Sequence, residues 1–319
     1  MSTTVPFGGL RTNQAFWQKA KRDEMSKYHS GELAVQKLAG VQAQASRMSG
    51  SFYSELPAAA RQFVEERNFA AITWHDQSKR LWITPLSGQS GFLRVRDEQT
   101  LECDLTNCAA PLLQSRNFAN DPVALVLMDF AGRRRMRVIG EANCQDKLIV
   151  TVNRAYGNCP KYIQKREPAE SLEDGTGVTT AQKSEDKSYL DEKMQALINS
   201  ADTFFIGSYA AEGGADASHR GGAPGFVSAD EHTVRCTDYP GNNMFNTLGN
   251  IQASRETALL FLDFETGAGL ALNGNIETFM PSVAGQPAAK ETAFKVENAK
   301  FLPRALALSW NLVEYSPFN

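Results

Sequence analysis

DASHRGGAPGFVSADEHTVRCTDYPGNNMFNTLGNI, residues 216–251, is the stretch whose reading decides the fold. It divides into a strand-like piece through Ser218-His219-Arg220-Gly221-Gly222, a second short strand at residues 233–237, and a polar turn, Tyr239-Pro240-Gly241-Asn242-Asn243, that opens a helix-like run at Met244. Gly221, Gly222 and Gly225 carry no side chain, so a flat ligand can lie against bare backbone there. His219 and Arg220 supply donors, and a guanidinium fork matches phosphate geometry. Asn242 and Asn243 stand where a helix begins, and a helix N-terminus offers free N–H groups and a favourable dipole to an anion. A plain β-turn with an Asn cap and a glycine-rich strand edge fits the same residues without any ligand. Local chemistry leaves both readings open.

The surrounding chain repeats itself. Short strands at 69–74, 81–84, 91–95 and 100–103, then 123–130 and 135–142, are separated by turn residues, the pattern of a small antiparallel sheet or barrel. The order recurs at 204–209, through the decisive stretch, and at 258–264 and 269–276. Gly88 and Gly222, Asp129 and Asp263, and Gly140 and Gly274 are each 134 positions apart. A constant offset of this kind reads as internal duplication of one β-barrel unit. The fold expected is mainly β with flanking helices (α+β), two tandem Greek-key split β-barrels. Residues 1–55 form an N-terminal helical segment, 56–165 the first barrel, 166–188 a polar linker and 189–319 the second barrel.

Residues 15–50 carry near-helical apolar spacing from Ala15-Phe16-Trp17 through Leu33, Val35, Leu38 and Val41, with Tyr28 to Glu32 as a solvated junction. A further helix starts after Pro57, and a helix-like stretch lies near 111–118. From Pro168 to Lys187 only Leu172 and Val178 are large and apolar, which reads as a long exposed loop. Leu308, Trp310, Leu312 and Val313 build a final strand or docked segment.

Composition narrows the function classes. The 319 residues include 42% hydrophobic and 22% charged residues, the profile of a globular chain. A net charge of −3 and a pI near 5.9 argue against a non-specific nucleic-acid binder. No apolar run approaches the roughly 20 residues a membrane helix needs, and the start MSTTVPFGGLRTNQ lacks a signal-peptide pattern. The expected location is the cytoplasm. Five cysteines without CxxC spacing and four scattered histidines point to neither a disulfide framework nor a metal site.

Two further segments bear on chemistry. In Arg133-Arg134-Arg135-Met136-Arg137, strand alternation puts Arg133, Arg135 and Arg137 on one face, beside the proposed anion site, although a solvated hairpin also explains any one of them. In YGNCPKYIQ (156–164), Lys161 and Gln164 can face a cleft and the two tyrosines can flank a ring, while Cys159 reads as structural. No nucleophile–base spacing, Walker sequence or dinucleotide fingerprint occurs, so hard chemistry would belong to a bound cofactor. The first unit has Asn107-Cys108-Ala-Ala where the second has its asparagines.

The HRGGAPGF and PGNNMFNTLGNI segments, LLFLDFETG and YGNCPKYIQ together resemble the pyridoxamine 5′-phosphate oxidase-like, FMN-binding split-barrel superfamily. Within it the chain is similar to larger bacterial members with tandem barrels, over about residues 25–318. The resemblance implies clefts between two barrels that hold FMN, here inside one chain as a monomeric pseudo-dimer, or within a homodimer. It implies that Ser218, His219, Arg220, Gly221 and Gly222 run along the flavin, and that Asn242, Asn243 and Asn246, with Tyr239 at the turn, hold its phosphate end. Lys161 and Arg135 would close the cleft from the other half. FAD, a deazaflavin and haem bound through His219 or His232 are the other cofactors considered. The function implied is an FMN-dependent oxidoreductase acting on a small molecule, with a nicotinamide donor as a possible reductant and one flavin per chain. A flavin carrier without turnover and a haem protein are the alternatives.

Overall fold

The computed structural model describes residues 27–113, 116–144, 146–172, 186–283 and 291–319. Among the described residues three short α-helices come first, α1 (Ser30–Leu38), α2 (Gln42–Met48) and α3 (Ala58–Glu65). The first sheet follows: β1 (Phe69–His75), β2 (Leu81–Gly88), β3 (Leu93–Asp97), β4 (Thr100–Cys103), β5 (Cys108–Ala109), β6 (Ala119–Asp129), β7 (Arg134–Cys144) and β8 (Leu148–Asn158). After β9 (Lys165–Ser171) and β10 (Asp186–Lys187), α4 (Glu192–Ser200) leads into the second sheet. That sheet holds β11 (Thr203–Ala210), β12 (Gly214–Gly221), β13 (Val227–Ala229), β14 (Thr233–Cys236), β15 (Glu256–Leu262), β16 (Gly269–Thr278) and β17 (Thr292–Leu302). Helix α5 (Asn246–Ser254) sits between β14 and β15, and β18 (Leu308–Glu314) ends the chain.

The chain is mostly β, as its runs of short alternating strands require. Both sheets are antiparallel and follow one order. The first runs β3-β4-β8-β7-β6-β1-β2-β5 and the second β13-β14-β17-β16-β15-β11-β12. Their registers also correspond. Phe69 faces Ser87 as Thr203 faces Gly221, and Val123 faces Gly140 as Thr257 faces Gly274. A bulge falls just before Gly140 in one sheet and just before Gly274 in the other. At both bulges the backbones approach so closely that an added Cβ would stand 2.0 Å from a carbonyl oxygen, of Thr151 or of Lys295. No side chain fits at either position.

One hydrophobic cluster spans the two sheets. Leu81, Leu86 and Val126 of the first pack in it with Phe205, Ala217 and Leu260 of the second. The rings of Phe69 and Phe205 stand 5.1 Å apart, and those of Phe130 and Phe264 stand 5.3 Å apart. Polar contacts cross as well: Thr73 Oγ1 donates to the Asp216 carbonyl at 3.0 Å, and Asn273 Nδ2 to the Leu81 carbonyl at 3.1 Å.

Three segments differ from their sequence reading. Residues 165–171 form strand β9, which pairs with β18, whereas the exposed linker was expected to begin at 166. The segment lacks apolar periodicity because an ion pair anchors it: Arg166 Nη2 donates to Asp202 Oδ2 at 2.6 Å in a buried setting. Most of the rest of that linker, 173–185, lies outside the described residues, as does the helical start at Ala15 to Trp17. The described part of 111–118 is turn and irregular chain, because Leu113 and Phe118 both reach into the core within a very short span.

The junction at Tyr28 to Glu32 is docked rather than solvated. His29 caps α1 through its ring, which accepts from Gly31 N, while the Glu32 carboxylate accepts from His29 N at 2.8 Å. Gly31 then lies against α5. A Cβ on Gly31 would meet the Gly249 carbonyl at 2.2 Å, so this glycine permits the close approach of the two helices. Among the described residues no helix is long and apolar enough to cross a membrane.

Candidate functional site

The decisive stretch folds into one wall of a trough. Strand β12 brings Asp216, Ser218, His219 and Arg220 opposite the β7 residues Arg135 and Arg137 from the other sheet. Arg137 reaches across to donate to Asp216 Oδ1 at 2.8 Å and Ser218 Oγ at 2.6 Å. Burial alone would lower its pKa, but the Asp216 carboxylate beside it overrides that and the net shift is upward. Arg135 donates to His219 Nδ1 at 2.8 Å. Burial, with the charges of Arg137 and Arg220 nearby, pulls its pKa down to about 10.

Arg133 does not share that face. With φ of 49° it sits in the turn before β7 and donates to the Ile163 and Tyr315 carbonyls at 3.1 and 3.0 Å. A left-handed turn residue breaks the alternation that the arginine run suggests.

Helix α5 enters the trough by its N-terminus. Asn242 Oδ1 accepts from Met244 N at 3.1 Å, and Asn243 and Phe245 take left-handed φ of 62° and 59°. Asparagine tolerates that conformation; phenylalanine does so at a cost of order 1–3 kcal/mol, the kind of strain held where backbone N–H groups must be aimed. Asn246, Thr247 and Leu248 then line a cleft together with Arg137, Arg220, Asn242 and Asn243. No acidic side chain occupies the first turn of α5. Asp238 also lines this cleft, 3.7 Å from Arg220, and burial raises its carboxyl above the usual range.

A second cleft adjoins the first and shares Arg220, Tyr239 and Gly241 with it. Arg135, Cys159, Tyr162, His219, Gly221, Phe226 and Thr237 complete its lining. Tyr162 and Tyr239 stack with centroids 5.1 Å apart and planes 17° from parallel. The two clefts form one trough with cations along its length and an aromatic wall at one end.

Of the residues expected at a cofactor site, His219, Arg220, Gly221, Tyr239, Asn242, Asn243, Asn246 and Arg135 line these clefts. Ser218 lies beneath, holding Arg137. Gly222 also lies beneath, its N–H bonded to the Asp202 carbonyl and its own carbonyl accepting from Gln164. Gly221 is small for a different reason than the sequence suggests: a Cβ there would stand 2.0 Å from the Tyr162 carbonyl, so the backbone rather than a ligand takes that space. Lys161 lies over the Phe318 ring at 5.3 Å and lines neither cleft. Tyr156 is wholly buried and donates to Asn246 Oδ1 at 3.2 Å, so the tyrosine beside Tyr162 in the trough is Tyr239.

Sequence reasoning missed the supports. Thr247 Oγ1 donates to Asp216 Oδ2 at 2.6 Å, and Asn246 Nδ2 donates to Glu32 of α1. Thus the first turn of α5 is tied to β12 on one side and to the N-terminal helix on the other. These partners stand 31 and 214 positions apart in sequence, and no local pattern marks either pair.

The corresponding place in the first sheet is filled. Where β12 carries Asp216, Ser218, His219 and Arg220, β2 carries Trp82, Thr84, Pro85 and Leu86, and β16 presents Gly269 and Ala271 in place of Arg135 and Arg137. Strand β5 pairs directly with Ser87 and Gly88, closing the edge that stays open in the second sheet.

Residues 190–297, which carry β11–β16, the first half of β17 and the β12 wall of the trough, match the family model described as pyridoxamine 5′-phosphate oxidase. This part of the chain belongs to the pyridoxamine 5′-phosphate oxidase-like superfamily. A search of curated proteins found no match. Among solved structures, a HupZ variant from Group A Streptococcus is 17% identical with a TM-score of 0.28, covering 35% of this chain and 99% of that one. An F420 reductase is 15% identical with a TM-score of 0.27, over 36% and 100% of the two chains. A Clostridium acetobutylicum protein of the pyridoxine phosphate oxidase family, related to a general stress protein of B. subtilis, is 17% identical with a TM-score of 0.27, over 39% and 97%. At such identity and TM-score these three likenesses decide nothing about the site. The superfamily match itself falls on the half that holds the open trough.

Proposed function

We propose that the trough binds one FMN per chain and that the protein is an FMN-dependent oxidoreductase acting on a small molecule, with a nicotinamide nucleotide as reductant. The observation that carries this reading is the convergence of Arg220, Arg135 and the free N–H groups of α5 on one trough with a surplus of positive charge. Arg220, Asn243 and the first turn of α5 suit a phosphate. The end lined by Tyr239, Tyr162 and His219 suits a flat ring. When bound, FMN supplies hydride and electron transfer, and the chain binds and orients it.

The repeated strand order, the shared registers and the paired bulges support descent from one duplicated barrel, a pseudo-dimer within a single chain. A haem reading is less favoured. His232 is exposed on a hairpin, its backbone N–H donating to Asp230 Oδ1 and its ring Nε2 4.0 Å from Glu231. His219 Nδ1 is held by Arg135.

The test is the visible absorbance of the purified protein, with the released cofactor identified by mass. Oxidised-flavin bands at one equivalent per chain, lost in an Arg220→Ala/Asn243→Ala variant that still folds, are expected. NADH or NADPH should then bleach the bands. A bound flavin that no donor reduces would make the protein a carrier. A chain that takes up no flavin would overturn the reading.

A further inference from the structure

The first cleft carries a carboxylate, Asp238, among the groups suited to an anion. Arginine–aspartate pairs in this region are not alike. Arg137 donates to Asp216 Oδ1 at 2.8 Å, and Arg166 to Asp202 Oδ2 at 2.6 Å. Arg220 Nη2 stands 3.7 Å from Asp238 Oδ1, too far for a hydrogen bond. The other oxygen, Oδ2, accepts from Ser282 N at 3.4 Å. Both contacts exceed the roughly 2.7–2.9 Å of a charge-assisted hydrogen bond.

The partners also differ in access to water. Side-chain exposure is 10% for Asp238 and 28% for Arg220, and both line the cleft. The carboxylate thus has little hydration and no close cation. Burial raises its pKa, with Arg220 and the Ser282 N–H pulling it back in part. Ionised, Asp238 offsets the charge of Arg220 and repels an arriving anion at short range. Protonated, it leaves Arg220 and the N–H groups of α5 to that anion. Arg137, the other cation of this cleft, is held by Asp216 in either case.

We propose that the trough takes up one proton with its anion, and that Asp238 carries the proton. Asp238 acts this way only if the cleft takes an anion, as the flavin reading holds, whichever molecule bears it. By linkage, affinity is highest where Asp238 of the free protein is already protonated. It falls as pH rises through that titration, by about one decade per pH unit at most.

Neighbouring groups bear on the same range. Burial, with Asp238 adding to it, pushes Cys236 of β14 up to about 12, and burial also raises Tyr162. His219 is held well below its ordinary value by burial and by the arginines around it. Glu32, whose carboxyl burial raises, reaches the cleft from behind through Asn246, with His29 beside it. Glu32 therefore needs its own control.

The experiment titrates the flavin-stripped full chain with sulfate, whose charge is constant from pH 5 to 8. Calorimetry is run at fixed ionic strength made up with chloride, and visible absorbance follows FMN uptake separately. Wild type should bind sulfate at least about tenfold more tightly at pH 5 than at pH 8, the equivalent of one pKa unit. Heats in two buffers of different ionisation enthalpy should show net proton uptake within that range. Asp238→Asn, a neutral isostere, should bind at pH 8 about as tightly as wild type at pH 5, without uptake. Glu32→Gln should keep the wild-type slope.

Equal wild-type affinity at the two pH values overturns the proposal, as does the absence of a saturable sulfate response. An Asp238→Asn chain that keeps the slope, or binds no better than wild type at pH 8, also overturns it. Where that variant fails to fold, Glu32→Gln decides: a slope lost there assigns the proton to Glu32, and a slope kept supports Asp238. FMN uptake without a sulfate slope would leave the flavin reading standing alone. A sulfate slope in a chain that takes up no FMN would keep the role of Asp238 and remove that reading.

Discussion

At the scale of single residues, the α5 end of the trough depends on a buried ion pair whose partners come from different sheets. Arg137 and Asp216 are 10% and 2% exposed at their side chains. Removing one member leaves the other charged and unpaired, which typically costs about 3–5 kcal/mol. We expect Arg137→Met to lower stability by an amount in that range in a denaturant titration. Arg137→Met/Asp216→Leu should recover much of the loss.

Glu32 makes stability depend on pH. Burial raises its carboxyl above the ordinary value of 4.5, with His29 nearby pulling it back in part. A raised folded-state pKa contributes stability that is fully present below the unfolded value and is lost as pH rises through the folded one. In melts of wild type against the non-titrating Glu32→Gln, the difference should therefore move against wild type as pH rises from 4 through 8. A difference that stays flat across that range would refute the burial argument.

At the scale of elements, the paired bulges make a matched set of tests. Gly140 and Gly274 each lie 2.0 Å, by their absent Cβ, from a facing carbonyl oxygen. Alanine at either position must push two strands apart, so we expect Gly140→Ala and Gly274→Ala to lose about 1–3 kcal/mol each, read by chemical denaturation. If one tolerates alanine, the two bulges do not bear equivalent strain.

Much of the element plan is legible in the chain. Alternation marks the strands, and the 134-position spacing aligns Gly88 with Gly222 and Gly140 with Gly274. Strand β9 is not legible, because Arg166 holds it by charge rather than by apolar alternation. The same limit governs the site. His219, Arg220 and the asparagine turn stand together in sequence and can be found there, while Arg135 announces itself by composition. Glu32, Thr247 and the filled counterpart at Trp82 to Leu86 depend on contacts between distant segments, which no local period encodes.

At the scale of the whole molecule, one core joins both sheets. Phe69 packs on Phe205, Phe130 on Phe264, and Trp310 touches Phe69, Phe130 and Phe264. Neither half can bury its inner face without the other. We expect a single calorimetric transition with matching calorimetric and van't Hoff enthalpies. Two resolved transitions would show that the halves fold separately.

The unequal clefts also change what mutation can do. In a ring of identical chains each codon change lands at every site at once, so no site can drift while its twin is held. Here separate stretches of one gene encode the two faces. Arg135 and Arg137 can meet β12 while Gly269 and Ala271 meet β2, and a change in either set has no echo in the other. One face can therefore be filled while the other stays open, and each can be altered alone.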